Sequence, residues 1–275
     1  MKKPVYYVLI GVLLLVFCFS AFQIVNYFIK GREKANQFDE LSQLASQSTT
    51  EPTSAPTTEP TTQATTEPTT EATTEPTTAP TEPTMIPGYA DVYARNNDMV
   101  GWIKIDGTKI DYPVMQTPYE ANFYLKRDFD KNYSEWGCLY VREECDVNTP
   151  SDTVTIYGHT MKDGSMFAAL HNYTQESFYK DHKLIYFDTL TEYHVYEIFS
   201  VFKTSANLGE GFRYHVMENA KDEKEFNDYV AECKKLAFYD TGITPVYGDK
   251  LLLLSTCEYT LGDNGRLVVA ARRVF

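Results

Sequence analysis

Three things are missing from this 275-residue chain, and each absence excludes a reading. No charged residue occurs from Pro4 to Ile29, where the run opening Val5-Tyr6-Tyr7-Val8-Leu9-Ile10 stays apolar past Cys18 to Phe28. About 20 such residues cross a hydrocarbon core of about 30 Å. A cleaved signal peptide would carry an apolar region of only about 7–15 residues ending in small residues. Here Ser20-Ala21, the one small pair, lies deep inside a longer run. Residues 5–29 are therefore read as a transmembrane anchor, 1–4 as its cytoplasmic end and 30–48 as a juxtamembrane segment. Positive charge does not orient the anchor, since Lys2 and Lys3 on one side face Lys30, Arg32 and Lys34, offset by Glu33, on the other.

From Thr49 to Thr84 no hydrophobic side chain larger than alanine occurs. Such a stretch has no core to offset the entropy of ordering, and its prolines favour an extended form. Glu-Pro recurs at 51/52, 59/60, 67/68 and 75/76, with a last copy at 82/83. At about 3.1 Å per residue the stretch reaches roughly 110 Å. Thr/Pro-rich stalks of this kind suit an extracellular position, holding a domain away from a membrane. Residues 49–84 are read as a disordered stalk, which puts the N-terminus inside and residues 85–275 outside.

Paired cysteine motifs are the third absence. The five cysteines include no C-x-x-C, and no histidine stands at a metal-ligand interval from any of them. No metal or cofactor is expected. Cys138, Cys145 and Cys233 read as small buried hydrophobes. Of the formal net charge of −13, residues 85–275 carry −9 without a basic stripe, which argues against nucleic-acid binding.

What is present in residues 85–275 is mostly strand. Gly101–Ile105 and Ile110–Met115 flank the turn Asp106-Gly107, and further runs occupy 138–141, 153–157, 184–188, 193–202, 251–257 and 266–271. So many strands with few helical segments predict a closed or nearly closed β-barrel. One long helix is expected over 222–239, where Phe226, Tyr229, Val230, Cys233, Leu236 and Ala237 follow the 3.6 period, with acidic residues early and Lys234-Lys235 late. A shorter helix is expected over 87–96.

The candidate chemistry sits at strand ends. Leu251-Leu252-Leu253-Leu254-Ser255-Thr256-Cys257 and Arg266-Leu267-Val268-Val269-Ala270-Ala271 predict an antiparallel hairpin that sets the Cys257 thiol beside the Arg266 guanidinium. Among five histidines, His159 alone closes a buried-looking strand, Val154–Gly158, before a loop. Functional groups at strand ends are what a rigid barrel positions best. His194 alternates with apolar residues and reads as lying on a strand's outer face; His182, in Lys180-Asp181-His182-Lys183, reads as solvated.

Together, Tyr157-Gly158-His159-Thr160-Met161-Lys162-Asp163-Gly164-Ser165-Met166-Phe167, Leu254-Ser255-Thr256-Cys257 and Gly265-Arg266-Leu267-Val268-Val269 resemble the three active-site motifs of class B sortases. Asn97-Asp98-Met99-Val100-Gly101-Trp102-Ile103 with Tyr112-Pro113-Val114 resembles the entry to that catalytic domain. The resemblance covers roughly residues 86–275. Leu253, where Thr is common, and Asn97-Asp98, where Asn-Pro-Asp is usual, depart from the pattern without touching a reacting group.

The resemblance implies a closed eight-stranded sortase-type barrel with N-terminal helices and the long helix before the cysteine strand. It also implies a membrane-anchored cysteine transpeptidase of a Gram-positive cell surface. Such an enzyme cleaves the C-terminal sorting signal of a secreted protein and passes the new carboxyl end to an amine of peptidoglycan or to a pilin lysine. Cys257 is then the nucleophile, His159 the proton shuttle and Arg266 the group that stabilises the oxyanion or holds the substrate backbone. Rival cysteine enzymes fit less well. A papain-like protease places its Cys early and its His late, whereas His159 precedes Cys257 here.

Overall fold

A computed structural model of the chain describes residues 3–47, 84–207 and 209–275. The stalk expected over 49–84 lies, except for Thr84, outside the described residues. Among the described residues there are four α-helices: α1 (Lys3–Gln47), α2 (Pro87–Arg95), α3 (Glu176–Asp181) and α4 (Glu223–Lys235). Eight strands, β1 (Met99–Lys104), β2 (Asp111–Met115), β3 (Leu139–Val141), β4 (Thr153–Tyr157), β5 (Leu184–Thr189), β6 (Val195–Ser205), β7 (Leu251–Cys257) and β8 (Gly265–Arg273), close into one barrel. Every strand run expected from the sequence is present.

The strand order is β1-β2-β3-β4-β7-β8-β6-β5, antiparallel except for the β2–β3 and β4–β7 pairs. The parallel β4–β7 pair brings two distant C-terminal strand ends to the same rim of the barrel. Successive side chains of a strand point to opposite faces, and the leucine run of β7 uses both. Leu252 and Leu254 fill the barrel with Val154, Ile156, Leu267 and Val269. Leu251 and Leu253 face outward with Val268 and Ala270, against Phe226, Tyr229, Val230 and Cys233 of α4. A strand covered on both sides reads as a continuous apolar run, which is why no alternation marks 251–254. Leu253 therefore belongs to the outer packing layer.

Helix α4 begins where Asp222 accepts a hydrogen bond from the Glu225 amide at 2.8 Å, a cap that satisfies one of the helix's free N–H groups. It ends four residues before the expected Tyr239. The Phe238 amide bonds the Val201 carbonyl of β6 at 2.9 Å and draws the chain out of helical register.

Helix α1 runs unbroken through the residues read as a juxtamembrane segment, and its outer part packs on the domain, burying Phe38 and Leu41 in the core. The domain expected from residue 85 thus gains a helix from before the stalk. All five cysteines are free. Cys138 and Cys145 are buried, but only residues 139–141 form a strand, and Cys145 sits in the turn after it. Burial pushes the Cys145 thiol up to about 11.

Two histidines lie elsewhere than expected. His194 is buried, not on an outer face. It shares its parity with Tyr196 and Ile198, which point into the barrel, and its Nε2 meets Glu192 at 3.1 Å. His182 is half-buried, with its ring stacked on Phe178 at 4.0 Å and its Nδ1 against the Phe178 carbonyl. The surrounding charges mark the surface of the segment but not the direction of this ring.

Candidate active site

Register sets the site. In the parallel β4–β7 pair Tyr157 lies opposite Ser255, so His159 and Cys257 each stand two residues beyond a matched pair, on strands about 4.8 Å apart. In the β7–β8 hairpin Cys257 lies directly opposite Arg266. All three share the outward parity of Leu251, Leu253 and Val268, so their side chains emerge on one face. They line a cleft of about 430 Å³ together with Asn122, Tyr140 and Tyr214. Larger cavities of about 670 and 700 Å³ lie between α1 and the barrel and contain none of the three.

Two glycines make the approach possible. A Cβ at Gly158 would lie 2.3 Å from Leu139 Cδ2 and 2.6 Å from Phe167 Cδ2. One at Gly265 would lie 2.0 Å from the Glu258 carbonyl, which closes the loop between Cys257 and Arg266.

The three side chains are held separately. His159 Nε2 lies 2.7 Å from the Leu125 carbonyl and, protonated there, donates to it. No hydrogen bond joins His159 to Cys257 among the described residues. Catalytic hydrogen bonds are often loose until substrate binds. Arg266 Nη1 donates to the Gly265 carbonyl at 2.8 Å and reaches the Asp263 carbonyl at 3.5 Å. No carboxylate pairs with it among the described residues, so its charge is left for the cleft.

Several participants were not singled out from the sequence. Tyr259 neighbours Cys257, which raises the phenol above its ordinary value while Arg266 opposes the rise. Tyr259 is 65% exposed, so an incoming peptide can displace it. The Tyr214 hydroxyl shares a 2.7 Å hydrogen bond with Ser255 under the nucleophile strand. His215 also lines the cleft. Its burial, with Arg142 and Arg213 nearby, holds it below the ordinary histidine value and so neutral near pH 7.

Beneath the cleft a polar chain ties the two strand ends together. Thr256 Oγ1 donates to the Gly158 carbonyl at 2.7 Å and lies 2.8 Å from Thr160 Oγ1, which lies 3.0 Å from His171 Nε2. His171 Nδ1 is 3.5 Å from Glu258, the residue after Cys257. Glu258 is buried, which alone would raise its pKa, yet hydrogen bonds from Thr260 and Lys203 hold it below the usual carboxylate value. Thr256 and Thr160 sit inside the motifs read from the sequence and Glu258 directly follows one, but His171 had no local signal. Among the described residues no group of three His, Cys, Asp or Glu side chains is placed to hold a metal ion.

Comparison with known proteins agrees with this geometry. A model of the sortase domain matches residues 103–274. Sortase B of Listeria monocytogenes is 32% identical over 191 residues, covering 67% of this chain and 73% of that protein. Sortase B of Staphylococcus aureus is 28% identical over 188 residues, covering 68% and 75%. In structure, a Staphylococcus aureus sortase B–substrate complex matches with a TM-score of 0.70 at 22% identity, over 90% of this chain and 98% of the other. At that identity the structural match speaks for the fold.

Proposed function

Because this chain belongs to the sortase family, as a class B cysteine transpeptidase of the cell surface, we propose that Cys257, His159 and Arg266 are its catalytic residues. Its substrate is the C-terminal sorting signal of a secreted protein, and its acceptor an amine of peptidoglycan or a pilin lysine. The observation that carries this reading is the strand register: β4–β7 and β7–β8 pairing bring a thiol, an imidazole and a guanidinium without a carboxylate partner among the described residues to one rim and one face.

In the reaction the Cys257 thiolate attacks the scissile carbonyl carbon, and the carbonyl electrons move onto oxygen. Arg266 offers forked N–H donors to that oxyanion. When the oxyanion collapses, the C–N bond breaks, and protonated His159 gives its proton to the leaving amine. The resulting thioester is attacked by the acceptor amine, which loses a proton to His159 as the C–S bond breaks.

α1 is a candidate membrane anchor, with the apolar side chains from Tyr7 to Ile29 largely exposed. The proposed arrangement keeps residues 1–4 in the cytoplasm, 5–29 in the membrane and the catalytic domain of 85–275 outside. Incubation with a sorting-signal peptide should leave a thioester on Cys257, detected by intact mass and released by hydroxylamine. Transfer to triglycine or to a lysine-bearing peptide then identifies the acceptor class. Cleavage without any Cys257 adduct would refute the mechanism.

A further inference from the structure

α1 does not stop where its apolar run ends. It continues to Gln47 without a break, and contact with the barrel begins while the helix is still apolar. Tyr27 stacks on Trp136 with 5.3 Å between ring centroids, and its hydroxyl meets the backbone of Lys162. One turn on, Gly31 is buried; a Cβ there would lie 2.7 Å from Asp163 Oδ2 and 3.2 Å from Trp136 Cζ2. Trp136 Nε1 donates to the same Asp163 oxygen at 2.9 Å. Lys34 pairs with Asp128 at 2.6 Å, and Phe38 stacks edge-on to Tyr112.

The helix rises about 1.5 Å per residue, so Val5 to Tyr27 spans about 33 Å, close to the thickness of a hydrocarbon core. Trp136 and the loop from Thr160 to Ser165 therefore stand at the level where hydrocarbon gives way to headgroups. A stacked Tyr–Trp pair is the chemistry favoured at that level. Lys30, Arg32 and Lys162 are exposed around it, and none forms a salt bridge among the described residues. Even with exposed Glu33 offsetting one of them, these cations leave a net positive rim on an acidic domain, which matches an anionic lipid surface.

We propose that the barrel face bearing Trp136 and the Thr160–Ser165 loop, rimmed by Lys30, Arg32 and Lys162, rests directly on the headgroups of the bilayer that α1 spans. This deepens the reading of α1 as an anchor and rests on it. It also changes the part played by the Thr/Pro/Glu-rich stretch. That stretch leaves the domain after α1, whose Leu44 and Ala45 pack on the core. It rejoins the domain at Ile86, whose amide bonds the Leu190 carbonyl at 2.7 Å. Ser46 and Ile86 line one cavity. A segment with both ends on one domain does not set the distance of that domain from the membrane. His159 lies four residues from Asp163, at most about 14 Å along the chain, so the cleft works on peptides held close to the bilayer.

Quenching of Trp136 by lipid bromine tests this in the full chain. Trp102→Phe leaves Trp136 as the only tryptophan, and the protein is reconstituted into phosphatidylcholine–phosphatidylglycerol vesicles with bromine near the headgroup end of the acyl chains. Trp136 emission should drop relative to unbrominated vesicles, while Trp136→Phe, reporting Trp102 alone, should be unaffected. Gly31→Leu, which pushes Asp163 and Trp136 off the helix, should restore emission while the protein still floats with the vesicles. Unquenched Trp136 in vesicle-bound protein, or full quenching in vesicle-bound Gly31→Leu, would overturn the docked face while sparing the anchor. Protein that does not float with vesicles would overturn the anchor and the docked face together.

Discussion

Arg266→Lys separates two roles that the geometry allows for Arg266. The guanidinium spends one N–H on the Gly265 carbonyl at 2.8 Å and keeps its other donors for the cleft. A lysine ammonium that satisfied the same carbonyl would keep the charge beside Cys257 but present no planar fork to an oxyanion. Loss of one well-aimed oxyanion donor costs about 10²–10³ in kcat, or about 2.7–4 kcal/mol of transition-state stabilisation. Arg266 is half-buried and has no carboxylate partner among the described residues, so thermal stability should change by less than about 1 kcal/mol. The assay is kcat/KM for a fluorogenic sorting-signal peptide across pH, beside the rate of iodoacetamide alkylation of Cys257. The expected result is a fall in kcat of about 10²-fold or more with alkylation nearly unchanged, since a positive charge remains opposite Cys257. Near wild-type turnover would refute the directional role and leave Arg266 as a source of charge alone.

Cys257→Ala should abolish both hydrolysis and transfer with the melting temperature preserved, because it removes the nucleophile and little packing; residual cleavage by the purified variant would count against it. His159→Ala should be nearly as severe, and His215→Ala much milder, since His215 is held neutral and makes a poor proton donor; the reverse order in kcat would reassign the shuttle. Gly158→Ala forces a methyl to within 2.3 Å of Leu139 Cδ2, an overpacking expected to cost about 1–3 kcal/mol in chemical denaturation and to lower kcat by displacing His159. Glu258 has a folded pKa below its unfolded value, so its contribution to stability is full above the unfolded value near 4.5 and is lost as pH falls through the folded one. Glu258→Gln should lower stability at pH 7 by about 1–3 kcal/mol and flatten the acid limb of stability against pH; an acid limb as steep as wild type would place the titration elsewhere.

Local pattern determined much of this protein. The uncharged run of 4–29, the apolar runs of β7 and β8 and the 3.6 period of α4 each occupy one stretch of chain, and each forms the expected kind of element there, α4 ending four residues early. The Cys257–Arg266 pairing was legible for the same reason: a hairpin needs only a short loop between two apolar runs. His159 was different. Its strand end could be read, but its place beside Cys257 came from motif resemblance, because a parallel pair between residues 98 apart leaves no local signature. Tertiary structure alone decided the remainder. The phase of β6 turned His194 inward, and the ring of Phe178 drew His182 out of solvent. His171 reached Glu258 across the barrel rim, and Gly31 let α1 close on Trp136 and Asp163. The last two are contacts between segments far apart in sequence, fixed by packing once the barrel closes and invisible to any periodicity of one segment, whereas His194 and His182 take their directions from strand phase and from a ring four residues away.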